Sequence, residues 1–304
     1  MKRDHVADWF RIYGELSQPT DIWLRYNEEL IPFPHEQVDG SGAIFKLSEL
    51  KNFQTECHLP SRSPSVPAKW KQLWLGLAYL YWSRLRLPVW TFSIPWSRKL
   101  ETASSQHIFS IAETENLKTH PSLTALLFHH LDQAIAQEFS VSHQSRAWMI
   151  PVNMRPDLGL NPNNPQYNKN YVANFILEVR GPSTVEKIQE LLRKYLKEQR
   201  HWGTWWWQQI NRFLTPDTFR WLVRWQLHDQ SYVGVFSHAS EWTSSEKDSS
   251  LVFFPPPLRF CPIAAGALIW NGRLSLSLRF YPGFPADSER AQRIMKSWVQ
   301  KIGS

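Results

Sequence analysis

The residues that could do chemistry in this chain begin with an arginine in an apolar setting. Arg155 follows residues 149–152, a short apolar run that predicts a strand, and it precedes a second such run at residues 175–179. A cation between two buried strands needs an anionic partner, because an unpaired buried charge is costly. Asp8 stands at the N-cap position of a predicted first helix, residues 9–16. Asp8 is therefore one candidate partner for Arg155.

Histidines are the candidate general bases, because imidazole is the side chain that titrates nearest to neutral pH. His5 lies near the amino terminus, and His238 lies at the end of a predicted strand, residues 231–239. For each of them a structural role stays an alternative. His129 and His130 are adjacent within a predicted helix, where neighbouring side chains point about 100° apart. We interpret that adjacent pair as structural.

Two short motifs give the chain a resemblance to a known superfamily. Residues 6–8 read Val-Ala-Asp just before a helix, and residues 152–156 read Val-Asn-Met-Arg-Pro at a strand end. The first is similar to part of the His-His-x-x-x-Asp-Gly motif of the CoA-dependent acyltransferase superfamily, and the second to its Asn-x-Arg motif. This superfamily includes chloramphenicol acetyltransferase, the plant BAHD enzymes, wax-ester/diacylglycerol acyltransferases and peptide-synthetase condensation domains.

The resemblance implies roles for the residues of the first motif. The motif aspartate of the family pairs with the arginine, which implies a buried structural pair of Asp8 and Arg155. The second histidine of the motif is the family's general base, and in this register it falls on Asp4. Asp4 and the adjacent His5 are therefore candidate catalytic residues. Asp4 is the weaker base unless burial raises the pKa of its carboxyl group.

The resemblance also implies where a substrate would lie. The family has a strand that ends in Ser-Asn and lines a substrate tunnel, and Ser237 and His238 take that place here. His238 is thus a third candidate catalytic residue. Asn153, Asn170 and Ser237 are the residues expected to line the tunnel. No metal-ligand spacing is present among the two cysteines of the chain.

Hydrophobic periodicity predicts the elements that must position these residues. Apolar stripes predict helices near residues 70–85, 121–135, 184–200, 202–225 (two helices, broken near Pro216) and 287–302. Alternating or short apolar runs predict strands at 106–112, 149–152, 175–179 and 231–239, and a hairpin with one buried face at 263–280. The fold class is therefore α/β, with helices that flank a sheet. The resemblance implies that this sheet is mixed. The resemblance adds two lobes, of which the N-terminal one is truncated.

The predicted organisation has three parts. Residues 1–16 are a remnant of the N-terminal lobe with a degenerate motif, and residues 101–304 are the C-terminal acyltransferase-like lobe. Residues 17–100 are a connector that ends in a Trp-rich helix. Within that connector, residues 17–68 are low in periodicity and rich in Pro, Ser and Gly, which indicates a surface segment with one short helix near 47–53.

Composition bounds the class of protein. The chain has 304 residues, of which 42% are hydrophobic and 20% charged, as is usual for a folded domain. A net charge of +7 favours anionic partners such as CoA phosphates or anionic lipid, and no nucleic-acid module is recognisable. No signal peptide and no run long enough to cross a membrane is evident. We predict a cytoplasmic protein, with packing of the Trp-rich helix and its contact with a membrane surface as open alternatives.

The predicted function is transfer of an acyl group from a thioester, acyl-CoA or an acyl carrier, to a hydroxyl or amine. The thioester is the cosubstrate, and no bound cofactor or metal is expected. Two alternatives stay open. The chain is a non-catalytic relative that binds an acyl chain, a membrane surface or a partner protein, or it is a C-terminal fragment that needs a separate N-terminal half or self-association.

Overall fold

The computed structural model describes residues 21–58, 64–85, 107–113, 122–160, 167–210, 213–227, 232–282 and 284–302. The strands within these ranges are β1 Ile22–Tyr26, β2 Glu29–Phe33, β3 Thr55–His58, β4 His107–Glu113, β5 Ser145–Asn153, β6 Val172–Arg180, β7 Gly234–Ser244, β8 Leu251–Phe254, β9 Ile263–Trp270 and β10 Arg273–Phe280. The helices are α1 Gly40–Lys51, α2 Lys69–Leu80, α3 Leu123–Glu138, α4 Val185–Lys197, α5 His201–Ile210, α6 Pro216–Leu227 and α7 Ser288–Ile302. A π-helical turn, Tyr81–Leu85, continues α2.

The large sheet has the strand order β4-β10-β9-β7-β5-β6, and β3 adds to the far end of β7. Strand β7 runs parallel to β5 and β9, whereas the other pairs are antiparallel, so the predicted mixed sheet is confirmed. The β9–β10 hairpin turns at Asn271 and Gly272, whose φ angles are 51° and 79°. Positive φ at both positions is the requirement of a type I′ turn, as the Asn-Gly pair predicts.

Helices cover both faces of the large sheet. Helices α3, α4 and α7 pack on one face, and α2, α5 and α6 pack on the other. Strand β9 shows why, because alternate side chains enter different cores: Ala265 and Ala267 face the first group of helices, and Ala264 faces the second. The sheet is thus a central layer whose strands must be apolar on both sides.

Residues 22–58 differ from the predicted surface connector. Strands β1 and β2 form a hairpin that pairs with β8 in a separate three-stranded sheet. Leu24, Ile44 and Leu47 are fully buried in the core between this sheet, α1 and the large sheet. The strands are only five residues long, so their alternation is too short to stand out against the surrounding turns. The helix predicted near 47–53 begins earlier, at Gly40.

The small sheet also corrects the prediction of one buried face for the β9–β10 hairpin. Every residue of β10 except Arg273 is buried, including the serines on its polar face. Ser277 satisfies its buried hydroxyl by donating to the carbonyl oxygen of Phe253, at 2.5 Å. Strand β7 likewise runs on to Ser244, beyond the predicted end at residue 239, because β3 pairs with its second half.

Candidate active site

The carboxylate that meets Arg155 belongs to Asp39. Arg155 Nη1 lies 2.7 Å from Asp39 Oδ2, and Nη2 lies 3.0 Å from Oδ1. The remaining N–H groups donate to the carbonyl oxygens of Tyr167 (2.8 Å) and Lys169 (2.6 Å) and to Asn153 Oδ1 (3.2 Å). All five N–H groups of the guanidinium therefore have acceptors, although its side chain is only 1% exposed.

The partner predicted for Arg155 was Asp8. Like Asp4 and His5, Asp8 lies outside the described residues. Because every N–H group of Arg155 is already used by described residues, the structure assigns the pair to Asp39.

The sequence contains the signal that would have located this pair. Residues 35–40 read His-Glu-Gln-Val-Asp-Gly, which has the His-x-x-x-Asp-Gly spacing that was matched at residues 4–9 instead. Pro34 occupies the position of the first histidine of the full motif. The segment joins β2 to α1, so it is a strand-to-helix turn of the kind the motif needs. It was missed because residues 17–68 were interpreted as a connector.

Asp39 connects three elements. Its Oδ1 accepts a hydrogen bond from the N–H of Gly42 at 2.8 Å, which caps the amino terminus of α1. Its Oδ2 accepts from the N–H of Tyr171 at 2.7 Å, one residue before β6. Together with Arg155, just beyond the end of β5, these contacts fix the strand ends and the helix start relative to one another.

The loop before Asp39 contains His35, whose imidazole is neutral and carries its proton on Nδ1. Nδ1 of His35 lies 2.8 Å from the carbonyl oxygen of Val38. A carbonyl only accepts, so Nδ1 carries the proton of the neutral ring, and Nε2 is assigned the lone pair. Burial lowers the pKa of His35, which keeps the ring neutral at pH 7. Asn170 Nδ2 donates to the carbonyl oxygen of His35 at 2.6 Å and so fastens the loop to the sheet.

A cavity of about 440 Å³ lies between the large sheet and helices α3 and α4. Much of its wall is apolar, formed by Leu123, Ile150, Val152, Phe175, Leu192, Leu196, Phe236 and Ile269. A smaller cavity of about 60 Å³ lies against Asp39 and Gly40. Pro151, Asn153, His238 and Ser240 line both cavities, so these residues form the wall that the two share.

His238 lies in that shared wall, in the last regular pair of β7 with β9 before β7 becomes irregular. The pairing of β7 with β9 shifts between His238 and Glu241, and Ser240 has a φ of 69°. Thr124 Oγ1, in the first turn of α3, lies 2.9 Å from His238 Nδ1. Burial lowers the pKa of His238 to about 4, so its ring is neutral at pH 7.

Solved structures with this arrangement of strands and helices identify the fold. The chain matches the epimerization domain from the third module of tyrocidine synthetase B, with a TM-score of 0.56 and 14% identity. It matches the EpoB cyclization-docking bidomain from Sorangium cellulosum with a TM-score of 0.56 and 11% identity. It also matches the starter condensation domain of rhizomide synthetase, solved with C8-CoA and Leu-SNAC, with a TM-score of 0.54 and 11% identity.

This chain has the CoA-dependent acyltransferase fold. The resemblance inferred from the two motifs is thereby confirmed at the level of the fold. The three matches cover 90% of this chain but 67%, 59% and 65% of those chains, so it spans about two thirds of their length or less. No protein-family model matches the sequence, and no curated protein matches it significantly.

The acyltransferase fold brings some of the predicted tunnel residues together. Asn153 and His238 line both cavities, and Ser237 lines the smaller one. Asn170 lines neither of these two cavities and instead hydrogen-bonds to the loop at His35. Across the described ranges, no group of three His, Cys, Asp or Glu side chains could hold a metal ion, and no helix is long and apolar enough to span a bilayer.

Proposed function

We propose that this chain transfers an acyl group from a thioester, acyl-CoA or an acyl carrier, to a hydroxyl or amine. The observation that carries the proposal is the Asp39–Arg155 pair, which fixes the loop that carries His35, a neutral imidazole with its proton on Nδ1. His35 is the proposed general base. The larger cavity is the proposed site of the acyl chain, because its wall is largely apolar, and it shares four lining residues with the smaller cavity at Asp39.

The reaction needs one proton transfer and one displacement. His35 Nε2 takes the proton of the acceptor hydroxyl or amine as that group attacks the thioester carbonyl carbon. A C–O or C–N bond forms, the C–S bond breaks, and the departing thiolate recovers the proton from the imidazolium. A positioned base of this kind contributes typically about 10²–10⁴-fold to the rate.

Turnover of a thioester tests the proposal. Purified protein is incubated with octanoyl-CoA and a panel of alcohols and amines, and the released thiol and the acylated product are both measured. His35→Ala is expected to lower turnover by about 10²–10⁴-fold. His143→Ala, at an exposed turn, is the matched control and is expected to leave the rate unchanged. Loss of turnover in His5→Ala, Asp4→Ala or His238→Ala, but not in His35→Ala, would move the base to one of the residues predicted from the sequence.

The alternative is an acyl-binding protein without turnover. The observation that favours it is the direction of the pKa shifts: burial lowers the pKa of both His35 and His238, which makes each imidazole a weaker base. In that case octanoyl-CoA binds, and no product forms with any acceptor.

We also propose that α2 contacts an anionic lipid surface. Its exposed apolar side chains recur at helical spacing: Trp70, Leu73, Trp74, Leu77 and Tyr81. Trp70 and Trp74 are 68% and 64% exposed, and Lys69 and Lys71 stand beside them, which is the composition of a helix that lies in a membrane interface.

Vesicle sedimentation tests the lipid contact. The protein is expected to sediment with phosphatidylcholine vesicles that contain phosphatidylserine and to sediment less with phosphatidylcholine alone. The double variant Trp70→Ser/Trp74→Ser should stay in the supernatant. Trp221→Ser, which removes a tryptophan that is 62% exposed on α6, serves as the control. Equal losses in the double variant and the control would argue against a specific role for α2.

A further inference from the structure

Two nitrogen atoms in the wall shared by the cavities lack hydrogen-bond partners. Asn153 Nδ2 and His238 Nε2 are buried, and neither has a partner among the described residues. Buried polar atoms are nearly always paired, because an unpaired one loses its hydrogen bonds to water without replacement. Because both residues line both cavities, one ligand group in this region could satisfy both atoms.

The hydrogen bonds made by Asn153 Oδ1 and His238 Nδ1 determine whether the ligand atom must donate or accept a hydrogen bond. Asn153 Oδ1 accepts from the backbone N–H of Arg155 at 3.0 Å and from its Nη1 at 3.2 Å, so the amide orientation is fixed and Nδ2 is a donor. The ligand atom must therefore accept a hydrogen bond, which points to oxygen.

His238 is compatible with two kinds of oxygen. The Thr124 hydroxyl can donate to His238 Nδ1 or accept from it, so Nε2 is either a donor or an acceptor. A hydroxyl group satisfies both arrangements, and a keto group satisfies the one in which Nε2 donates. The imidazole is neutral, so it offers no charge to a carboxylate or phosphate. The two charged residues of the larger cavity, Arg193 and Glu241, have opposite signs.

We propose that this cavity selects acyl chains that carry an uncharged oxygen, a hydroxyl or keto group, which hydrogen-bonds to Asn153 Nδ2 and His238 Nε2. The inference rests on the proposed function, because that function places the acyl chain in the cavity. The apolar wall accounts for the rest of the chain, and the two nitrogen atoms account for its selectivity. A plain alkyl chain would leave both atoms buried and unpaired, so it would bind more weakly.

The test measures binding without turnover. Amide analogues of pantetheine carry octanoyl, 2-, 3- or 4-hydroxyoctanoyl, or 3-oxooctanoyl chains, and their affinities are measured by calorimetry with the wild-type protein and with His35→Ala. At least one oxygenated chain is expected to bind about tenfold more tightly than octanoyl. Comparison of the affinities for the hydroxyoctanoyl and oxooctanoyl analogues then shows whether a hydroxyl or a keto oxygen is recognised.

Substitutions at the two residues complete the test. His238→Leu should abolish the preference, because octanoyl then binds at least as tightly as to the wild type and the oxygenated chains bind more weakly. His238→Gln, whose amide can replace Nε2, should retain part of the preference. Asn153→Asp keeps the acceptor for Arg155 but removes the N–H donor, and it should also abolish the preference.

Two results would overturn the inference: octanoyl binding as tightly as every oxygenated chain, or a preference that survives His238→Leu. Failure of all the chains to bind would overturn it as well. Selective binding with no thioester turnover would remove the proposed catalysis and leave the selectivity standing, so the two proposals fail separately.

Discussion

At the scale of the residue, the Asp39 carboxylate holds several parts of the site together through its hydrogen bonds. It accepts from the backbone of α1, from the backbone beside β6, and from two nitrogen atoms of Arg155. A second buried pair offers a matched comparison: Asp132 accepts from Arg146 at 2.7 and 2.9 Å and from Trp148 Nε1 at 2.8 Å. That pair lines neither of the two cavities.

Removing one carboxylate charge at a time separates stability from function. Asp39→Asn is expected to cost about 3–5 kcal/mol of unfolding free energy, because it leaves the Arg155 cation buried without a counter-charge. Asp132→Asn should cost a similar amount for the same reason. Only Asp39→Asn should also weaken acyl-chain binding and turnover, measured at a temperature where both variants are folded. An equal loss of activity in Asp132→Asn would show that the effect is one of stability alone.

The buried imidazole of His238 predicts a pH dependence of stability. Its pKa is about 4 in the folded protein, against an ordinary value of 6.5 in the unfolded chain, so the unfolded chain binds more protons between these limits. The stability tied to its neutral form is complete above pH 6.5 and is lost as the pH falls towards 4. His238→Gln removes that dependence and keeps His35 in place. We expect the wild type to lose about 1–3 kcal/mol more than the variant over this range, measured by urea unfolding. Parallel curves for the two proteins would contradict this.

At the scale of the element, the irregularity in β7 decides what its side chains face. Ser240 has a φ of 69°, in the left-handed region, just where the pairing with β9 shifts. Bulges of this kind re-aim side chains and are frequent beside functional sites. A regular strand would lack the extra residue after His238, and it would give Glu241 a different partner in β9.

Substitutions at Ser240 test the importance of that backbone conformation. Ser240→Gly should fold normally and change the stability by less than about 1 kcal/mol, since glycine adopts positive φ without strain. Ser240→Val should cost about 1–2 kcal/mol, because a β-branched residue is poorly tolerated there. Urea unfolding gives both values, and the two variants are controls for each other. A stable Ser240→Val variant with unchanged ligand affinity would show that the bulge is not needed.

At the scale of the whole molecule, the sheet is a central layer with helices on both faces, and the larger cavity lies within one of these interfaces. A ligand that binds there contacts β5, β6, β7, α3 and α4 together. The tryptophans follow the same plan: Trp148, Trp202, Trp242, Trp270 and Trp298 are buried at these interfaces, whereas others, such as Trp70, are exposed.

Binding in the cavity should stabilise the entire fold. At a ligand concentration of about 100 times the Kd, an acyl-pantetheine analogue is expected to add about 2.7 kcal/mol and to raise the Tm. Leu196→Trp fills the cavity and should remove the shift. Val66→Trp, at a position 58% exposed and outside the cavity lining, should leave it intact. A shift that persists in Leu196→Trp would place the ligand elsewhere.

The sequence by itself determined the helix stripes and the hairpin at Asn271–Gly272, because these depend on local periodicity and turn chemistry. The mixed sheet was implied only by the resemblance to the superfamily. The sequence also marked Arg155 as a buried cation in need of a carboxylate. Only the tertiary structure decided that the carboxylate is Asp39, 116 positions away in the chain. A local sequence pattern does not show which residues distant in the chain are in contact. Strands β1 and β2, which precede Asp39, are only five residues long, so their alternation is too short to predict that they form a sheet. The cavity, and the two unpaired nitrogen atoms in its wall, exist only where β5 and β7 lie side by side.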